Sequence, residues 1–244
     1  MTHVLQLYQE EACLLETLAE YVAEGLRLDE AIIVIGTKPR WDLLLDRLRQ
    51  NGVDAHARAA RGQMRLIGVH VVLAACLPGG QLARPQFNRL LGGALEFARM
   101  RYERVRVVSE LTDARWREGD RSGACALERL WKPLLGVHDF KLLCACPIDT
   151  LEGECYDGTL QALCHAHTHV SPARDESGFE DAVSGAVAEV LDANLVRMLE
   201  ALSAAHRPNA HMPGGQAMLF WLNDHMPRTA ERVLSRARAR WSEH

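Results

Sequence analysis

Nowhere in the 244 residues is there an apolar run approaching the about 18 residues that a membrane-crossing helix requires. The stretch from Met1 to Glu11 also lacks a basic region followed by an apolar one. The expectation is a soluble, cytoplasmic protein with no membrane partner. There is no excess of positive charge: the net charge is -4 and the pI about 6.3. That removes any general attraction to nucleic acid, so a small molecule or another protein is the expected partner. There is no dense cysteine framework either. Cys13, Cys76, Cys125, Cys144, Cys146, Cys155 and Cys164 are odd in number and scattered, as reduced thiols in a cytoplasm would be.

What is present is enough apolar material, 48% of the chain, to build a sizeable core. Leu14, Leu15, Leu18 and Val22 recur at helical spacing from Tyr8 onward, with Gly25 placed to end that helix. Ala31 to Gly36 is a continuous β-branched run, as in a parallel strand covered on both faces. Arg40 to Gln50 puts Trp41, Leu44, Leu45 and Leu48 on one helical face, and a strand is expected to resume at Val53. Further strands are expected at Met64–Val69, Arg104–Ser109 and Phe140–Cys146, and further helices at Pro85–Met100 and Ala124–Leu135. This alternation predicts an α/β fold, a mainly parallel sheet with helices on both faces, whose ligands bind at the strand carboxyl ends. From Phe179 to Ala205 one long helix is expected, followed by the Pro- and Gly-rich linker Arg207–Gly215 and a last helical stretch interrupted by Pro227. The α/β domain should therefore span residues 1–175, and residues 176–244 should form a helical C-terminal extension for oligomerisation or partner binding.

The segment Val105-Arg106-Val107-Val108-Ser109-Glu110, followed by Trp116, Gly119, Ala126, Leu127-Glu128 and Trp131, resembles the central signature of the MEDS sensory family. Upstream, His3, Tyr8, the Ile32–Ile35 strand and Asn51-Gly52-Val53-Asp54 fall in the family's order. Downstream, Phe140 to Pro147, Leu163-Cys164, His167, His169-Val170 and Pro172 do the same, so the likeness runs from about residue 3 to residue 172. Two positions depart from it. Ser109 stands where glycine is usual, and Cys146 where an aromatic residue usually precedes the proline. The resemblance implies a RecA-like fold, the sensing of small carbon compounds, and a regulatory protein partner such as a kinase or transcription factor.

A RecA-type ATPase needs a Gly-rich loop ending in Gly-Lys-Ser/Thr, and Gly36-Thr37-Lys38-Pro39-Arg40-Trp41 is not one. Thr37, Lys38 and Arg40 near a helix start remain candidates for holding an anion, although Pro39 is equally an ordinary first-turn proline. Glu110 closes a central strand, where its carboxylate would face a binding crevice, and Trp116 follows on the resembling segment. Cys144 and Cys146 alternate onto one strand face, while Cys164, His165, His167 and His169 cluster near a helix end, with Cys155 and His138 as further candidates. Thiolate and imidazole suit zinc or another soft metal, yet buried cysteines are more often core and the spacing fits no standard zinc motif. No Gly-x-Ser-x-Gly elbow occurs and no triad can be named. Arg228, Arg232, Arg236 and Arg240 form a basic stripe, more often a solvated helix face than a nucleic-acid contact.

The leading expectation is thus a non-enzymatic, ligand-sensing regulatory domain acting through protein contacts, as a homo-oligomer. A metal- or thiol-based sensor and a divergent RecA-like nucleotide-binding protein or ATPase are the alternatives.

Overall fold

The computed structural model describes residues 2–156, 158–173, 175–205 and 211–242. In chain order the elements begin β1 (Thr2–Leu7), α1 (Glu11–Arg27), β2 (Ala31–Gly36), α2 (Lys38–Gln50), α3 (Ala55–Ala60), β3 (Met64–Gly68) and α4 (Val69–Cys76). They continue α5 (Arg84–Phe87), α6 (Gly93–Arg99), β4 (Val105–Ser109), α7 (Leu111–Arg117), α8 (Arg121–Val137) and β5 (Lys141–Cys146). Last come α9 (Thr159–Ala166), β6 (His169–Ser171), α10 (Glu176–Val190), α11 (Ala193–Ala205), α12 (Gly214–His225) and α13 (Pro227–Trp241). The strands pair in parallel, so the chain is an α/β protein with a helical C-terminal region.

Two compact units divide the chain: Met1–His3 with Glu10–Pro147, and Val4–Gln9 with Ile148–His244. In the first, the strand order is β3-β2-β4-β5. Ile33 stands beside Val107 and Val107 beside Leu142, and these join Cys144 in a core shared with Val72, Leu95 and Trp131. Trp131 sits edge-on to Phe87, with ring centroids 5.1 Å apart. The alternate residues Ile32 and Arg106 face α1. Helices therefore cover both faces of these strands, as the near-continuous apolar runs of β2 and β4 require.

Gly25 lies inside α1 and does not end it. A Cβ there would meet Ile32 Cδ1 at 2.6 Å and Arg106 Cδ at 2.8 Å, so the glycine admits a close helix–strand approach. The strand expected at Val53 is instead α3, because Asp54 accepts the Ala57 N–H at 2.9 Å and caps a helix. The helix expected over 85–100 is interrupted by a π-helical turn, Asn88–Gly92, between α5 and α6.

In the second unit β1 and β6 pair in parallel, Leu5 opposite Val170. The single long helix expected over 179–205 is two helices, α10 and α11. Asp192 Oδ1 accepts the N–H groups of Asn194 and Leu195 and starts a second helix there. Met218, Leu219 and Leu222 of α12 are buried, and Gln216 donates to the Tyr156 hydroxyl at 2.9 Å. Arg240 and Arg236 of the basic stripe pair with Glu189 of α10. Part of the Arg207–Gly215 linker, residues 207–210, and the side chain of Cys155 lie outside the described residues. Among those described, no helix is long and apolar enough to cross a membrane.

Candidate functional site

The connection from β2 leads outward to β3, and the chain then returns to β4 on the other side of β2. The carboxyl ends of β2 and β4 thus form a topological switch point, where an open α/β sheet leaves a crevice. The backbone N–H of Glu110 donates to Ile35 O at 2.9 Å, which carries the β2–β4 ladder one residue past Ser109. Its side chain is 1% exposed and turns to the start of α2. There Oε2 accepts the Thr37 N–H at 3.2 Å and lies 3.3 Å from Arg40 Nη1.

Arg40, 8% exposed, organises the charges around it. Nη1 donates to Asp113 Oδ2 at 3.3 Å, and Nη2 donates to both oxygens of Glu11 at 2.7 and 2.9 Å. Arg117 closes the network through Nε to Asp113 and Nη2 to Glu11. Two guanidinium groups thus face three carboxyl groups. Burial pushes the Glu110 carboxyl up to about 7, against the opposing pull of Arg40 and the Thr37 N–H.

Gly36 is the close-approach residue of this crevice. A Cβ there would lie 2.9 Å from Glu110 Cδ, Glu110 Oε1 and Trp41 Nε1. The Trp41 Nε1–H is buried and has no acceptor among the described residues. Gly36→Ala should destabilise the chain by about 1–3 kcal/mol, the usual cost of overpacking. A urea-denaturation midpoint equal to that of the wild type would show that the crevice is not as tight as this geometry implies.

Of the sequence candidates, the structure brings Thr37, Arg40 and Glu110 together. Lys38 is exposed and pairs with Asp42 at 2.8 Å, one turn along α2. Trp116 is half-buried, with the Arg121 guanidinium carbon 5.2 Å from its ring centroid. Glu11, Asp113 and Trp41 complete the site without having been anticipated. A separate groove of about 1040 Å³ mixes apolar lining from Leu66, Leu90, Ala94 and Phe97 with Gln63 and Arg89, and sets Arg65 over Phe97.

On the opposite face of β4 and β5, Cys144 is fully buried beside Glu128 of α8 and His3. Its thiol donates to Glu128 Oε2 at 3.4 Å and lies 3.5 Å from His3 Nε2, which is itself 3.4 Å from Glu128 Oε2. The Thr112 hydroxyl donates to Glu128 Oε1. Burial, then the neighbouring Glu128, holds the Cys144 thiol well above the usual thiol range. Cys146 is buried two residues along the same strand face.

Cys164, His165, His167 and His169 belong to the second unit. Cys164 is buried in α9, its thiol also raised by burial. His165 is exposed, with Nδ1 2.7 Å from Gln161 O, and His167 is buried, with Nδ1 2.7 Å from Leu163 O. His169 lies 3.6 Å from Glu176 and its ring is 5.7 Å from that of His211.

A search of curated proteins finds no match. The family model for MEDS, the methanogen/methylotroph DcmR sensory domain, matches residues 2–168 and so takes in both clusters of the first unit. That match spans well over half of the 244 residues, and on it the chain belongs to the MEDS sensory domain family, with a sensory or regulatory role.

Proposed function

We propose that the chain is a non-enzymatic sensor whose small-molecule ligand sits at the carboxyl ends of β2 and β4, against Glu110 and Trp41. Binding would shift the populations of neighbouring helix arrangements and so alter contact with a regulatory protein in a transcription or two-component pathway. The observation that carries this reading is Glu110 itself: a buried carboxyl group poised near neutrality at the switch point, beside a buried indole N–H that has no acceptor among the described residues.

The same geometry argues against a nucleotide. At the start of α2, where a phosphate would accept backbone N–H groups, the Thr37 N–H is already taken by Glu110. The guanidinium groups of Arg40 and Arg117 face the carboxyl groups of Glu11, Glu110 and Asp113, so among the described residues the cluster has no surplus positive charge for a phosphate. A small uncharged molecule fits better, one that offers a lone pair to the Trp41 N–H and a hydrogen-bonding group to Glu110.

The test is calorimetric titration of the full chain with short alcohols, amides and halocarbons, and with ATP alongside. Binding of a small uncharged compound, weakened at least about tenfold (1.4 kcal/mol) in Glu110→Gln, is the expected result. Tight ATP binding with no response to the uncharged compounds would overturn the reading.

Glu110 also makes stability depend on pH. Its folded pKa, about 7, lies above the ordinary 4.5, so the native state holds a proton there that the unfolded chain has released. The associated stability is fully present below pH 4.5 and is lost as pH rises through 7. Over that window the wild type should lose up to about 3 kcal/mol relative to Glu110→Gln, which cannot ionise. Parallel stability–pH curves for the two proteins would contradict the assignment.

A further inference from the structure

We propose that His3 Nε2, Glu128 Oε2 and Cys144 Sγ are the protein ligands of a divalent metal ion, zinc being the best fit. The site is separate from the Glu110 crevice, on the other face of the strands, and the argument does not depend on the ligand-sensing reading.

The first ground is shape. The three donor atoms form a triangle with sides of 3.4, 3.4 and 3.5 Å. A tetrahedral zinc ion with Zn–S of about 2.3 Å, Zn–N of about 2.0 Å and Zn–O of about 2.1 Å spaces its donors about 3.4–3.6 Å apart. The triangle has the dimensions of one face of that tetrahedron.

The second ground is hydrogen counting. Three mutually adjacent polar atoms need three bridging hydrogens to close a ring of hydrogen bonds, and each atom must then donate once and accept once. An imidazole nitrogen either carries a hydrogen or offers a lone pair, never both. Among Nε2, Sγ and Oε2, therefore, at most two edges can hold a hydrogen of their own, and the third brings two polar atoms together unbridged. A single cation at the centre satisfies all three edges at once.

The third ground is the surroundings. All three residues are buried, with His3 at 2%, Glu128 at 1% and Cys144 at 0% exposure. The Thr112 hydroxyl holds Glu128 Oε1, which fixes the carboxylate and presents Oε2 as a single donor. Outer-shell partners orient metal-binding carboxylates in this way. One nitrogen, one oxygen and one sulfur suit the borderline-soft zinc ion better than magnesium or calcium, which prefer oxygen alone. Binding displaces the thiol proton to solvent, so each ion bound forms one metal–sulfur bond and releases one proton from Cys144.

The experiment takes the full chain, strips it with a chelator and adds cobalt(II) alone. One equivalent should bind with the near-ultraviolet sulfur-to-cobalt charge-transfer band and the strong visible bands of a tetrahedral site, and zinc should bleach both. Cys144→Ser should lose the charge-transfer band and weaken binding by more than the about 100-fold that removing an outer-shell partner costs. Cys76→Ser, a buried thiol elsewhere in the core, should keep both. X-ray absorption at the zinc edge of the wild-type protein supplies a reading that needs no variant: one sulfur near about 2.3 Å with nitrogen or oxygen completing the shell. A saturated wild type without the charge-transfer band, a band that survives Cys144→Ser, or a zinc shell with no sulfur would each overturn the proposal.

Discussion

Arg106→Ala is expected to lower stability by about 3–5 kcal/mol, because it strands a carboxylate in the interior. Arg106 projects from β4 onto the face covered by α1, at 2% exposure. Its Nε donates to Glu30, which is fully buried, and Nη1 donates to Glu24 at 2.6 Å and to Tyr21 O at 3.1 Å. The guanidinium also lies over the Tyr21 ring, 4.9 Å from its centroid. Glu24 is half exposed, so its share is screened by solvent and small. The large term is Glu30, whose remaining cationic partner among the described residues is the part-exposed Lys141, 3.1 Å from its other oxygen. Urea denaturation of Arg106→Ala, Glu30→Leu and the Arg106→Leu/Glu30→Leu pair measures this. The pair should recover to within about 1 kcal/mol of the wild type, since well-packed apolar residues substitute for a buried ion pair at little cost. A loss below about 1 kcal/mol in the single alanine variant would mean that Glu30 is not held in the interior as the structure has it.

What sequence alone reveals follows from how local the physics is. Strands β2, β4 and β5 are legible because burial on both faces demands continuous apolar runs. β1 is not, since Thr2-His3-Val4-Leu5-Gln6-Leu7 mixes polar and apolar residues without a clean period. α4 hides for a different reason. Val69-His70-Val71-Val72 reads as strand by propensity, and Gly68 offers no capping side chain. What makes it helical is the burial of Val69, Val72, Leu73 and Cys76 in the core. The cluster at the carboxyl ends of β2 and β4 is half legible. Thr37, Arg40 and Glu110 lie where strands end, so the topology of an α/β sheet points to them. Glu11 and Asp113 reach Arg40 from α1 and α7, and no spacing rule connects positions 29 and 73 residues away. Cys144 likewise stands out as a strand-face thiol, while His3 of β1, 141 residues distant, and Glu128 of α8 become its partners only once the chain has folded.

Arg40→Met should cost about 3–5 kcal/mol near pH 8, and the cost should itself depend on pH. Methionine keeps the length and most of the apolar stem but removes the charge that Glu110 and Asp113 share in the interior. Above pH 7 Glu110 is ionised in the wild type, so losing Arg40 leaves a buried anion with the Thr37 N–H but without its counter-charge, and the penalty is full there. As pH falls, Glu110 takes up a proton, its need for a counter-charge disappears, and the penalty should shrink by about 1–2 kcal/mol between pH 8 and pH 5. The Arg40→Met/Glu110→Gln pair should be less destabilised than the sum of the two single changes by about 0.5–3 kcal/mol, the range of coupling for residues in direct contact. The stability–pH curves of the four proteins therefore separate two pictures of this crevice. If Arg40 merely packs, the Arg40→Met penalty is the same at pH 5 and pH 8 and the changes add. If Arg40 keeps Glu110 ionisable at the switch point, the penalty follows the proton, and a ligand that displaces the Glu110–Arg40 contact will change the charge of the site as it binds.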